Sequence, residues 1–294
     1  KVYADRSLQY FLENQDDKGL SETYILIGSI ENRQGSYQES RPYFEKAYAA
    51  CRTARNAQNS MIAINRLADV LCYEGEYDQA RELFNEALQL SRQLNDSYHQ
   101  AILLNNLGTI DHVLCNYEQA GVYYKESLAI TRKLGDLDGV ALALNNLGEL
   151  ATWQQDFEQA LAYSKEALAI ARQVNETWTI IVCLNSLGEI YTGMGRLPEG
   201  KFNLIEALKI AVDINSLDLA GRVLINLGRV YQLLGDMDYA VALMKAGALH
   251  SATEQDSRDK AARWLAEFSE VIPDGFNDDL MNTVIGQAEL TNVL

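Results

Sequence analysis

Proline is nearly missing from this chain: three occur in 294 residues, at Pro42, Pro198 and Pro273. Regular alternation of β-branched residues is missing as well, and the two absences together argue for helices throughout. No apolar run approaches the ~20 residues that a bilayer-spanning helix needs, and no signal-peptide pattern opens the chain, so a membrane role is set aside. The four cysteines (Cys51, Cys72, Cys115, Cys183) form no CxxC pair. They read as reduced core or surface thiols, which fits a reducing, cytoplasmic setting. Positive charge is also short: 25 Lys and Arg face 41 Asp and Glu, a formal charge of −16. Phosphate contacts need clustered Lys and Arg, so this balance excludes nucleic acid as a partner. His112 and His250 stand alone without companions at ligand spacing, and His99 opens a helix where water reaches it. Neither a metal nor a cofactor is implied.

What the chain has in abundance is repetition. LNNLG occurs at 104–108 and again at 144–148, LNSLG at 184–188, and INLG at 225–228. The small residues Gly28, Ala68, Gly108, Gly148, Gly188 and Gly228 are each 40 positions apart. Tyr37, Tyr77, Tyr117, Phe157, Leu197 and Met237 keep the same period, as do Ala80, Ala120, Ala160, Gly200 and Ala240. Shared registers of this kind define an array of one structural unit rather than two globular domains.

Within one unit, 101–140, apolar residues at 103, 104, 107, 110 and 114 mark one helical face and Tyr117, Ala120, Tyr124, Leu128 and Ile130 a second. Asn116 punctuates between them, and Gly135–Asp136 ends the pair. The small residues let two antiparallel helices approach closely, and the aromatic at 117 fills the wedge beside them. Six full units are expected to start near 21, 61, 101, 141, 181 and 221. Residues 7–19 align without gaps on 127–139, so 1–20 reads as the second helix of a truncated repeat, and the chain as a piece cut from a longer one. Residues 257–294 carry no repeat signature and are expected to form capping helices, one over 257–272 and one over 276–288.

The small residue of the first helix, with Y-x-x-A and a further Ala in the second, resembles the tetratricopeptide repeat in a 40-residue version. Such units are similar to those of GoLoco-binding polarity adaptors, kinesin light chains, and the C-terminal arrays of bacterial signal-transduction NTPases and LuxR-type regulators. The resemblance implies an all-α, right-handed superhelical solenoid of helix-turn-helix units. It further implies that the first helix of each unit lines a concave surface.

On that surface the fifth place holds Asn65, Asn105, Asn145 and Asn185, and the sixth holds Arg66, Asn106, Asn146 and Asn226. A primary amide both donates and accepts, as the backbone of an extended peptide demands. A column of amides one repeat apart suits a peptide main chain. Asp69, Glu149 and Glu189 would attract a basic residue, Trp153 and Tyr73 would offer apolar faces, and Arg66, Arg229 and His112 complete the candidate set. The competing reading has the sixth-place amides bonding the next hairpin. Ile25 and Ile225 interrupt the column, which centres any polar groove on 61–200. Glu149 and Glu189 lack a general-acid pocket, and the Gly-rich stretch at 193–200 lacks a phosphate-binding pattern. The expectation is therefore a non-enzymatic module that binds a protein or extended peptide, as sensor or scaffold of a larger signalling protein. The alternatives are an array that clamps another domain of the same polypeptide, and a small-molecule sensor built on Trp153, Asn105 and Asn145.

Overall fold

A computed structural model describes residues 2–33, 36–250, 253–267 and Val284, and among them there are fourteen α-helices and no strand. The first is α1 (Val2–Glu13). Six pairs follow: α2 (Asp17–Arg33) with α3 (Tyr37–Ala54), α4 (Ala57–Glu74) with α5 (Tyr77–Gln93), and α6 (Ser97–Val113) with α7 (Tyr117–Leu134). The later pairs are α8 (Leu137–Trp153) with α9 (Phe157–Val174), α10 (Thr177–Gly193) with α11 (Leu197–Asp213), and α12 (Leu217–Leu234) with α13 (Met237–Leu249). The last described helix is α14 (Gln255–Ala266). First members are called A helices below and second members B helices. The second expected capping segment, 276–288, lies outside the described residues except for Val284. The chain divides into two compact units, 1–130 and 131–294.

The joints explain the regularity. Gln15, Arg55, Gly75, Asn95, Cys115, Gly135, Gln155, Asn175, Gly195, Asn215 and Gly235 all have positive φ, one at each described joint from α1 to α13. This left-handed residue turns the chain and lets the last carbonyls of the helix be satisfied. Gly75 N–H donates to Cys72 O, and Glu76 N–H reaches Leu71 O at 2.8 Å. At several joints the following residue then caps the next helix, whereas Glu76, Glu176, Arg196 and Ser216 make no side-chain cap bond. Side chains of Asn56, Asp96, Asp136, Asp156 and Asp236 accept from the backbone N–H three residues on. Because the cap stands at 56, 96 and 136, A helices begin four residues ahead of the starts expected from the apolar pattern.

Packing follows from the small residue of helix A. A Cβ added at Gly108 would lie 2.6 Å from the Tyr124 ring, and one at Gly228 would lie 2.6 Å from Met244 Cγ. Close approach of A to B thus uses the space a side chain would fill, which offsets the ~1 kcal/mol loss of helix propensity. In the first unit the core runs through Phe44, Ile64, Ala68, Phe84, Leu103, Leu107 and Ile110. In the second, the aromatic that opens a B helix packs on the next hairpin: Phe157 joins Ala151, Ala160, Ile190 and Met194. Helix α14 buries Ser257, Ala261 and Leu265, spaced four apart, and Ala261 with Trp264 meets Ile225 and Ala248. No helix among the described residues is long and apolar enough to cross a membrane.

Candidate functional site

The A helices carry the candidate residues, and burial sorts them. Asn65 is 6% exposed, Asn145 0% and Asn185 7%, whereas Asn105, Asn106 and Asn146 are half-buried. Asn226, at the sixth place, is 3% exposed. The amides of Asn65, Asn145, Asn185 and Asn226 are therefore withdrawn from solvent, and those of Asn105, Asn106 and Asn146 are partly open to it.

Their bonds have a common plan. In the first unit, Asn106 Nδ2 donates to Asn65 Oδ1 at 3.4 Å and to Asp69 Oδ1 at 3.3 Å. In the second unit, Asn226 Nδ2 donates to Asn185 Oδ1 at 2.9 Å and to Glu189 Oε2 at 3.3 Å. A sixth-place amide thus bridges the fifth-place amide and the ninth-place acid of the preceding hairpin. At 186 the chain has Ser instead. Ser186 Oγ donates to Glu149 Oε1 at 2.6 Å, and Asn145 Nδ2 donates to the same Oε1 and to Ser186 Oγ, each at 3.1 Å. Asn145 Oδ1 and Asn226 Oδ1 are buried and meet no donor among the described residues.

The charged members differ in surroundings. Arg66 pairs with Asp69 on its own helix at 3.4 Å. Glu189 holds Lys260 of α14 through Oε1. Arg229 donates to Gln232 at 2.7 Å and to Glu267 at 2.8 Å, with its guanidinium 5.4 Å from the centre of the Trp264 ring. Arg222 is tied to Glu254 at 2.8 Å. Glu149 has no cation within ion-pair distance among the described residues. Burial, with Glu149 and Asp138 adding to it, pushes the Cys183 thiol up to about 12, so this thiol stays protonated inside the hairpin stack.

Tyr73 is 8% exposed and its ring stacks on Tyr37 with centroids 3.9 Å apart, so it serves the core. His112 likewise lies edge-on to Tyr117 at 5.7 Å. His99, expected in water, is half-buried and its Nδ1 lies 2.7 Å from the capping Asp96. Trp153 is the opposite case: 54% exposed, one turn beyond Glu149 on α8. The sequence reading missed Lys260, Trp264 and Glu267. The available signal was Lys260 and Trp264 four apart on an amphipathic helix, but nothing in it pointed toward α10 or α12. No group of His, Cys, Asp and Glu among the described residues forms a cluster able to hold a metal ion.

Paired helices at a constant period, closed onto one another through a small residue, define a class of helical repeat. A tetratricopeptide repeat family model matches residues 59–133, 100–173 and 139–211, and a second one matches 21–53. The chain belongs to the tetratricopeptide repeat family. Among solved structures, the apo form of RapI is similar at 16% identity and a TM-score of 0.68, over 88% of this chain and 90% of that one. A Rap protein complexed with competence and sporulation factor is similar at 14% identity and 0.66, over 92% and 76%. The signal transduction ATPase with numerous domains from Pyrococcus horikoshii, which has a tetratricopeptide repeat sensor, is similar at 18% identity and 0.55, over 91% of this chain and 42% of that one. At such identities the likeness concerns the fold. No curated protein sequence matches the chain.

Proposed function

We propose that this chain is a non-enzymatic protein- or peptide-binding module, and that the working surface is the solvent-facing stripe of the A helices. In the second unit that stripe carries Asn146, Glu149, Thr152 and Trp153 on α8, and Glu189 and Thr192 on α10. The observation that carries the reading is Trp153, a large ring 54% exposed beside a half-exposed carboxylate. Aromatic anchors of this kind supply contact area at low conformational cost in partner recognition. Family membership supports the same reading, since stacked repeats create extended binding surfaces. A sensor or scaffold role inside a larger signalling protein, and a cytoplasmic setting, extend this proposal. The buried amides act in it as the frame of the surface and the half-exposed side chains as its contacts.

A photo-crosslinking residue placed at Trp153 should capture a partner whose identity is read by mass spectrometry. The same group at Glu166, on the exposed side of α9, should not. Equal capture from both positions would remove the proposal.

A further inference from the structure

We propose that α14 holds the place of the partner on the stripe of α10 and α12. The helix that displaces it is amphipathic and presents a lysine, an aromatic and an acid at i, i+4 and i+7. This rests on the partner-binding reading of the A-helix stripe, and it names the chemistry of the partner and the competitor it displaces.

The first observation is where the side chains of α14 go. On α8 and α10 the ninth and twelfth places of the unit, Glu149 with Thr152 and Glu189 with Thr192, belong to the stripe assigned to the partner. Helix α14 bonds the same places. Lys260 meets Glu189 through Oε1. Glu267 Oε2 accepts from Arg229 and Gln232, the ninth and twelfth places of α12, each at 2.8 Å. Gln232 is buried there, whereas Thr152 and Thr192 are half-buried. The Trp264 ring centre is 5.1 Å from the Lys260 ammonium and 5.4 Å from the Arg229 guanidinium. Lys260, Trp264 and Glu267 thus form one helical face turned to the stripe. The hydrogen bonds of the amide clusters join neighbouring A helices, 37 or 41 residues apart. Lys260 skips α12 and reaches back 71 residues to α10. A helix that only closed the last hairpin has no need of that contact.

The second observation is independent and concerns how α14 is held. It has 12 residues and buries Ser257, Ala261 and Leu265, far fewer than α12 does. An isolated helix of that length is marginal in water. Its capping residue Glu254 makes no side-chain cap bond and pairs instead with Arg222, the second place of α12, at 2.8 Å. Partly exposed ion pairs of this kind each contribute little. An element with few buried apolar side chains opens at low free-energy cost while the stack beneath it stays closed. That stack keeps its own seam, since Asn226 ties α12 to Asn185 and Glu189 of α10. A partner bearing the same three side chains therefore meets a preformed surface whose competitor is intramolecular.

The test uses the full chain and a fluorescein-labelled synthetic peptide of residues 253–267, followed by fluorescence anisotropy. The unaltered chain should bind the peptide weakly. A chain carrying Lys260→Glu and Trp264→Ala, whose own helix is loosened while α10 and α12 are untouched, should bind it at least tenfold more tightly. A peptide with Lys260→Glu should lose that gain, and a further Glu189→Lys in the loosened chain should restore it. Equal affinities of the two chains for the unaltered peptide, or no loss on the peptide substitution, would overturn the proposal. Hydrogen exchange of the single variant Lys260→Gln covers the case in which the double variant fails to fold. Amides of 255–266 should exchange at least tenfold faster with those of α12 unchanged, and joint loss of protection in both helices would show that α14 is a fixed part of the core. If capture at Trp153 succeeds while the peptide fails, the binding face stands and α14 is a permanent cap. Peptide exchange without capture at Trp153 removes that residue from the working surface and keeps the displaceable helix.

Discussion

Asn226 shows how one residue type serves two readings that burial separates. Its amide gives both N–H groups to the preceding hairpin, so removing it leaves Asn185 Oδ1 buried without its donor. Asn226→Ala should lower unfolding stability by about 1–3 kcal/mol, the penalty for an orphaned buried group. Urea denaturation measures it, and an unchanged midpoint would mean that the amide was not tying the hairpins together. The residue types at these places were legible in the sequence, because LNNLG recurs at a fixed interval. Their partners were not. A 40-residue period places Asn105 and Asn106 on one helix turn, but which of two adjacent side chains falls into the seam depends on helix rotation, and the apolar stripe fixes rotation only to within the width of a side chain.

Elements ending in a small residue and an Asp were read correctly as helices because turn chemistry and apolar spacing agreed. Helix α14 had no such support. It is short, its capping residue Glu254 makes no side-chain cap bond, and its orientation comes from contacts outside itself. Those contacts are ionic in part, which makes its anchorage sensitive to pH. The Arg229 guanidinium, with Gln232 adding a hydrogen bond, holds the Glu267 carboxyl below the usual carboxylate range. A lowered folded value means that the contribution is fully present above the unfolded value, near 4.3, and fades as pH falls through the folded one. Between neutral pH and about 5 the anchorage should stay constant, and below the carboxylate range α14 should loosen. Trp264 fluorescence, in a chain with Trp153 and Trp178 replaced by Phe, would report it. Glu267→Gln should remove the acid-dependent step, and an identical transition in that variant would show that another group controls it.

Over the whole molecule the excess of acid is the dominant long-range effect. A formal charge of −16 makes the folded array repel itself, while many of its ion pairs are exposed and individually weak. Raising ionic strength from about 0.01 M to about 0.15 M shortens the screening length to ~8 Å, so the melting temperature should rise. A fall would mean that pairs such as Arg41 with Glu74 and Glu76 outweigh the repulsion. The same scale reveals a rule about growth. Each described joint from α1 to α13 uses one left-handed residue, and each A helix must present its small residue to the B helix that follows. A single amino acid inserted in a helix would swing everything beyond it by ~100°, turning glycine away from the ring or side chain it receives. Such a gene can lengthen or shorten by duplicating or deleting complete hairpins, and intermediate lengths would be lost to misfolding.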